Sequence, residues 1–316
     1  MIDTNPRASR ERMLANAGVW ITILAWSSIF PGLQIVLRGW HPLSLASARV
    51  GFAALVMLVY LACMEGTRGF ARGLPWTRLF LLGGIGISGY MTLMSFGLVY
   101  AGAVSAAIIS TLTPAVAALM ARFVYGERLS ATTRWAAMAA VLGGVIVALG
   151  GPRQDAHFLG GELLLFTALT IWVWYQFGCQ KHLLHLTQAQ VTTYTSLTAT
   201  ITSIAIALII QFGFGQTLAM DLSAQSLLLV AYLSMAAGGF TLLLWHYAIR
   251  RLGVTVTAIC YNTTPVLSLC LTALIIGERP TLLQAVGGAV IVGSALFAQI
   301  RAERDRRRAA VSGTSA

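Results

Sequence analysis

The sequence predicts an all-α integral membrane protein of ten transmembrane helices, arranged as two inverted five-helix repeats. Three observations predict it: the composition, the spacing of the apolar runs and an internal repeat. Of 316 residues, 57% are hydrophobic and only 10% charged, against about 25% charged in soluble domains. A water-soluble globule is thereby excluded. At about 20 residues per helical crossing, the apolar stretches allow about ten spans and leave no room for a separate soluble domain.

Apolar runs bounded by charge, Pro and Gly place helices over 15–37, 43–64, 78–99, 102–124, 133–150, 160–181, 189–212, 224–249, 254–276 and 281–300. Away from their ends these spans hold one formal charge, Arg49. Lipid offers no partner to backbone N–H and C=O groups, and short alternating strands are absent from the sequence, so helices follow rather than a barrel. Arg7, Arg10 and Arg12 precede the first run. That run is too long for a signal-peptide core and has no small-residue cleavage site after it, so it is read as an uncleaved first span.

The net charge of +11 comes from 21 Lys and Arg against 10 Asp and Glu. These cations stand singly at the ends of apolar runs and gather only at the C-terminus, a topology pattern rather than a nucleic-acid stripe. With the N-terminus inside, seventeen cations fall on the cytoplasmic side, while Arg38, Arg153 and Arg279 fall outside. Both termini are therefore expected in the cytoplasm. Cys63, Cys179, Cys260 and Cys270 all lie within apolar runs without paired spacing and read as unpaired packing residues.

The repeat has an offset of 151 residues. Gly102, Ala107, Ile108, Thr113, Pro114, Gly126, Glu127, Arg128 and Val141 each have an identical partner, from Gly253 through Pro265 and Glu278 to Val292. A weaker echo at offset 146 pairs Trp26 with Trp172 and Gln34 with Gln180. The expected organisation is a tail over 1–14, a first five-helix repeat over 15–150, a second over 160–300 and a basic cytoplasmic tail over 301–316. Because five is odd, the second repeat enters the membrane the other way up, the architecture of alternating access.

The chain resembles the EamA-type family of the drug/metabolite transporter superfamily. The resemblance rests on "AWSSIFPG" (25–32), "SLASAR" ending at Arg49, "TPAVAALMARFVYGERLS" (113–130) and "TPVLSLCLTALIIGERPT" (264–281). It implies a ten-helix exporter of amino acids, other small metabolites or drugs in a bacterial inner membrane, with helices 5 and 10 peripheral to a central cavity. It supplies no motif that reads one substrate.

Candidate substrate-binding residues follow from depth. Trp26 and Trp172 lie mid-span, where an indole N–H needs a partner and faces protein or a cavity; their repeat relation suggests that they face each other. Trp20, Trp40, Trp76, Trp135 and Trp245 fall near span ends and read as interfacial anchors. Pro114 and Pro265, preceded by Thr113 and Thr264, are candidate hinges, because proline removes a backbone donor and frees a carbonyl. Tyr90, Tyr175, Tyr261 and Asn262 can hydrogen-bond a ligand, and Thr113 joins them. Arg49 is the sole intramembrane charge. With no buried carboxylate to offset a cation, it points to a neutral, zwitterionic or weakly anionic ligand. Glu127 and Glu278 read as turn-stabilising residues at helix ends.

The sequence lacks the paired carboxylates, Ser/His/Asp sets or metal clusters that an enzyme needs; His182 and His185 have i, i+3 spacing but no third ligand. No enzyme activity, cofactor or metal is expected. The expected partners are a small-molecule substrate and the lipid bilayer, with a proton as candidate coupling ion, a homodimer as candidate assembly and no nucleic acid. The function that follows is secondary transport by alternating access, exporting small amphipathic metabolites such as amino acids. Import of a metabolite and multidrug export stay open within transport, and a membrane scaffold or sensor outside it.

Overall fold

A computed structural model describes residues 6–70, 73–124, 126, 131–150, 160–238, 241, 244, 248, 260 and 263–313. Tyr261 and Asn262 among the candidates lie outside the described residues, as do Glu127 and Arg128. The described residues form helices and no strand: α1 (Pro6–Ser27), α2 (Ile29–Val36), α3 (Pro42–Glu65), α4 (Trp76–Phe80), a π-helical segment (Leu81–Ser88), α5 (Gly89–Ser110), α6 (Thr113–Phe123), α7 (Ala131–Leu149), α8 (Gly160–His182), α9 (Gln188–Leu208) with a π-helical end (Ile209–Gly213), α10 (Ala224–Gly238), α11 (Thr264–Ile275) and α12 (Leu282–Gly313). Five stretches are long and apolar enough to cross a bilayer: Met13–Val36, Pro42–Glu65, Trp76–Ser110, Gly160–Cys179 and Ala189–Gly213. Large apolar side chains such as Leu55, Val59, Leu142 and Ile201 are more than half exposed on the outside of the bundle, the distribution of a body solvated by lipid.

Several expected spans are broken rather than continuous. The run 15–37 divides at Ser28, one turn ahead of Pro31, whose missing N–H cannot bond the carbonyl four residues earlier. The Ser28 hydroxyl donates back to the Ala25 carbonyl at 2.8 Å. The run 102–124 divides at Thr111–Leu112 for the same reason. Pro114 sits in the first turn of α6, and Thr113 Oγ1 donates at 2.6 Å to the Ser110 carbonyl that the proline leaves free. The expected boundary between the third and fourth spans appears as one residue inside α5, Gly102, at φ 75° and ψ 171°. A side chain would oppose that conformation. The last helix runs past the expected end at 300 as far as Gly313, so the described part of the basic tail is helical.

Packing joins elements far apart in sequence. α7 lies against α12, α3 against α9, and α5 against α8; α1 meets α11 and α6 meets α8. Small residues and hydroxyls make these approaches possible, as expected where apolar surface alone drives no association. At Gly143 a Cβ would stand 2.7 Å from Ile291 Cγ1 and 2.8 Å from the Gly287 carbonyl oxygen, so α7 and α12 touch through backbone. Buried threonines stitch α9 to its neighbours: Thr193 Oγ1 donates to the Met57 carbonyl at 3.1 Å and Thr198 Oγ1 to the Leu79 carbonyl at 2.9 Å. The π-helical segment Leu81–Ser88 presents Gly84 to Thr202 and Gly86 to Tyr175, bringing α9 and α8 close.

A strap formed by residues 214–223 crosses the α2–α3 connection. His41 N–H donates to the Ala219 carbonyl at 2.9 Å, and Trp40 Nε1 donates to the Asp221 carbonyl at 3.0 Å and Ser226 Oγ at 2.7 Å. The expected anchoring role of Trp40 is thereby corrected: the indole is 4% exposed, because the strap and the first turn of α10 each supply an acceptor for its N–H. Trp20, Trp76 and Trp135 are exposed; Trp245 lies outside the described residues. His41 caps α3, its Nδ1 accepting from Leu43 N–H at 3.2 Å, and burial holds its pKa below the ordinary 6.5.

Two outcomes follow. Gly143→Ala should cost about 1–3 kcal/mol through overpacking, read as a lower thermal midpoint of the detergent-purified protein. Only neutral imidazole can accept at Nδ1, and the unfolded chain protonates first. The stabilisation from the cap is thus full above pH 6.5 and falls as pH drops through the lowered folded value. His41→Asn, which caps without titrating, should flatten the pH dependence of the midpoint between about pH 5 and 8; an unchanged profile would assign that dependence elsewhere.

Candidate substrate site

The site is built on α3, α5 and α8. Pro42 and the His41 cap start α3, and Arg49 follows about two turns in, roughly 10 Å along the axis. Its side chain is 3% exposed, and its Nε has no hydrogen-bond partner. Among the described residues, the ionisable group within electrostatic reach of the guanidinium is Tyr90, and no carboxylate accompanies it. A guanidinium so placed is held at considerable cost, a few kcal/mol in a membrane interior.

Tyr90 lies at the start of α5, directly after the π-helical segment, and its ring meets Trp172 of α8 with centroids 4.9 Å apart and planes at 33°. Trp172 meets Tyr175 at 5.4 Å and 30°. Three aromatic rings thus line up beside one cation, a combination that can hold a carboxylate at the guanidinium and an apolar or cationic group against the ring faces. Tyr175 closes the row on the protein side. It is 9% exposed, and its hydroxyl shares a 3.1 Å hydrogen bond with Thr195 Oγ1.

The remaining candidates fall elsewhere. Trp26 donates through Nε1 to Thr241 Oγ1 at 3.2 Å, and Thr241 Oγ1 donates in turn to the Ala236 carbonyl at 2.8 Å. Thr113 spends its hydroxyl on the Ser110 carbonyl, and Pro265 starts α11 as Pro114 starts α6. Nearby, Ser27 Oγ donates to the Ile23 carbonyl at 2.7 Å and the Thr264 carbonyl at 3.1 Å, tying α1 to α11. A cleft of about 490 Å³ opens between α3 and α9, lined by Ser44, Ser47, Phe52, Thr200, Ile204 and Leu218 among others. None of the sequence candidates lines it. Among the described residues, no group of His, Cys, Asp or Glu could hold a metal ion.

One polar constellation was not read as functional from the sequence. Glu278, expected to stabilise its own turn, reaches instead to another helix: Gln34 Nε2 donates to its Oε2 at 3.0 Å, and Gln34 Oε1 accepts from Ala103 N–H at 2.9 Å. The signal was present, since Gln34, Gly102 and Glu278 all belong to the internal repeat.

Comparison with known proteins agrees with this architecture. The EamA-like transporter family matches twice, over residues 13–149 and 159–299. The "Probable terminal-alkyne amino-acid exporter" of Streptantibioticus cattleyicolor is 25% identical over 308 residues, covering 95% of this chain and 99% of its own. "Uncharacterized transporter YdfC" of Bacillus subtilis is 25% identical over 279 residues, 88% of this chain and 89% of its own. A solved crystal structure at 21% identity superposes with a TM-score of 0.62, covering 92% of this chain and 98% of its own, and shares the fold. The long apolar helices and the doubly matched family pattern make the chain a multi-pass membrane transporter for a small molecule, not an enzyme, and it belongs to the EamA-like transporter family.

Proposed function

We propose that the protein is a secondary transporter working by alternating access, which exports small amphipathic metabolites such as amino acids or related zwitterionic compounds across a bacterial inner membrane. The observation that carries the substrate class is Arg49: a guanidinium 3% exposed in a span, without a carboxylate among the described residues, and with Tyr90 and Trp172 alongside. A carboxylate-bearing ligand supplies the missing counterion and stacks its remainder on the rings. In this reading Arg49, Tyr90 and Trp172 bind directly and Tyr175 backs them. Trp26, Thr113, Tyr261 and Asn262 belong to the opposite wall, and Pro114 and Pro265 serve as hinges. The name of the Streptantibioticus relative, an amino-acid exporter, supports the same class.

The mechanism in this proposal uses ten spans in two inverted halves, 15–150 and 160–300, with both termini cytoplasmic. Support comes from the excess of cations on one side of the chain. It also comes from packing that pairs related elements: α3 with α9, α7 with α12, and α1 with α11 as α8 with α6. Two halves of opposite orientation exchange conformations and open a shared site to each side in turn.

In liposome flux assays, Arg49→Gln should lower transport of carboxylate-bearing solutes by about tenfold to a hundredfold, the worth of a charge-assisted hydrogen bond, and leave neutral solutes less affected. Robust, Arg49-independent export of lipophilic cations would overturn the substrate class. For topology, single cysteines at Arg128 and Arg279 in a cysteine-free background should label from opposite sides of the membrane. Labelling of both from one side would remove the inverted arrangement.

A further inference from the structure

We propose that the cleft between α3 and α9 holds one acyl chain of a membrane phospholipid, with the ester carbonyl of that chain at the hydroxyls of Ser44 and Ser47. The site is separate from the Arg49 cluster, and it depends on the chain being a membrane protein rather than on which solute is carried. α3 and α9 touch at Gly51, whose Cβ would stand 3.7 Å from Thr200 Cγ2. They are tied again where Thr193 Oγ1 donates to the Met57 carbonyl at 3.1 Å. From these contacts toward the strap runs a space of about 490 Å³, walled by Ala48 and Phe52 of α3 and by Ile204 and Ala207 of α9, with Leu218 and Met220 of the strap at its end.

Length, polarity and position identify the occupant. The α3 wall runs from Ser44 to Leu55, about 16 Å of helix, and one leaflet contributes about half of a hydrocarbon core about 30 Å thick. The slot therefore has the length of a single acyl chain. Among the described residues no charged side chain lines it, so a carboxylate or ammonium solute finds no counterion there. Its rim includes Leu55 and Leu208, 59% and 47% exposed, which continue the apolar outer face of the bundle and admit bilayer hydrocarbon from the side. The unpaired polar groups stand at the strap end. Ser44, in the first turn of α3, is 6% exposed, and neither its Oγ nor that of Ser47 one turn later has a hydrogen-bond partner among the described residues. A helical serine ordinarily returns its hydroxyl to the preceding turn, as Ser27 does here. Other donors of the same walls are committed, the Trp40 N–H to Asp221 and Ser226 and the Thr200 hydroxyl to the Ser196 carbonyl. Buried donors left unmade are costly. An ester carbonyl brings an acceptor without a donor, and in a phospholipid it stands at the head of the chain, where hydrocarbon gives way to headgroups.

Photolabelling of the detergent-purified full chain tests this. The probe is a phosphatidylglycerol with a diazirine midway along one acyl chain, and labelled residues are mapped by mass spectrometry. Label should concentrate on Phe52 and Ile204 in the cleft over Val59, which is 57% exposed on α3 outside it. Unlabelled phosphatidylglycerol should compete for the cleft about fivefold better than its ether-linked analogue of equal chain length, the worth of one hydrogen bond. Ser44→Ala with Ser47→Ala should bring the two competitors level while the cleft still takes label, since only the carbonyl contact is lost. Ala48→Trp fills the slot and should remove label from Phe52 and Ile204 but not from Val59. Even labelling of Phe52, Ile204 and Val59 would overturn the lipid site. Equal competition by the ether lipid in the parent, or an ester preference that survives the double substitution, would overturn the role of the serines. If Ala48→Trp does not assemble, the comparison of ester and ether lipids on the parent and the serine variant decides alone. These readouts need no transported solute, so they are independent of the flux assays.

Discussion

A helix that breaks where protein or lipid excludes water must find a partner for each backbone group it sets free. That constraint organises the described part of this protein. At Pro114 the orphaned Ser110 carbonyl is met by the hydroxyl of the residue just before the proline. At Gly102 the orphaned Ala103 N–H is met from another helix altogether. The first solution is local and keeps α5 and α6 together as one bent element. The second is long-range and makes the conformation of α5 depend on where α2 and the segment before α12 stand. Breaks of the two kinds lie within a few turns of each other along the same stretch.

The proposed substrate cluster obeys the same economy of polar groups from the opposite direction. Tyr175, deep between α8 and α9, has its hydroxyl engaged by Thr195, so it serves as a wall. Arg49 has an Nε without a partner. The difference between a satisfied and an unsatisfied buried donor separates packing from recognition more sharply than residue type does, because leaving such a donor unmade costs more than making it gains.

Some of the long apolar helices were legible in the sequence because they depend only on apolar length: the expected 43–64 became Pro42–Glu65, and 160–181 became Gly160–His182. The break at Gly102 was legible as a boundary between runs. The one at Ser28 was visible only as a nearby Pro-Gly pair, since the break falls a turn ahead of the residue that causes it. Side-chain partners were not legible. Trp40 looked like an interface residue because the strap that buries it begins more than 170 residues later, and Glu278 looked local because Gln34 is 244 residues away. Of the candidate site, Arg49, Tyr90, Trp172 and Tyr175 are brought together, and Trp26 is bonded to Thr241. Symmetry relates elements, and the hydrogen-bond partner of each copy is set by whichever segment packs there.

The π-helical segment at Leu81–Ser88 bears on how this span can change in length. Its i→i+5 rings hold more residues per turn than an α-helix, so the stretch carries slack that the remainder of the span lacks. Loss of one residue there can be absorbed by relaxation to α-helical geometry, leaving Tyr90 and all that follows in register with Trp172. Loss of one residue within α5 would swing the side chains on one side of the cut by about 100° relative to those on the other. The segment is thus the place where the third span can lose a residue with the least displacement of the contact face that follows.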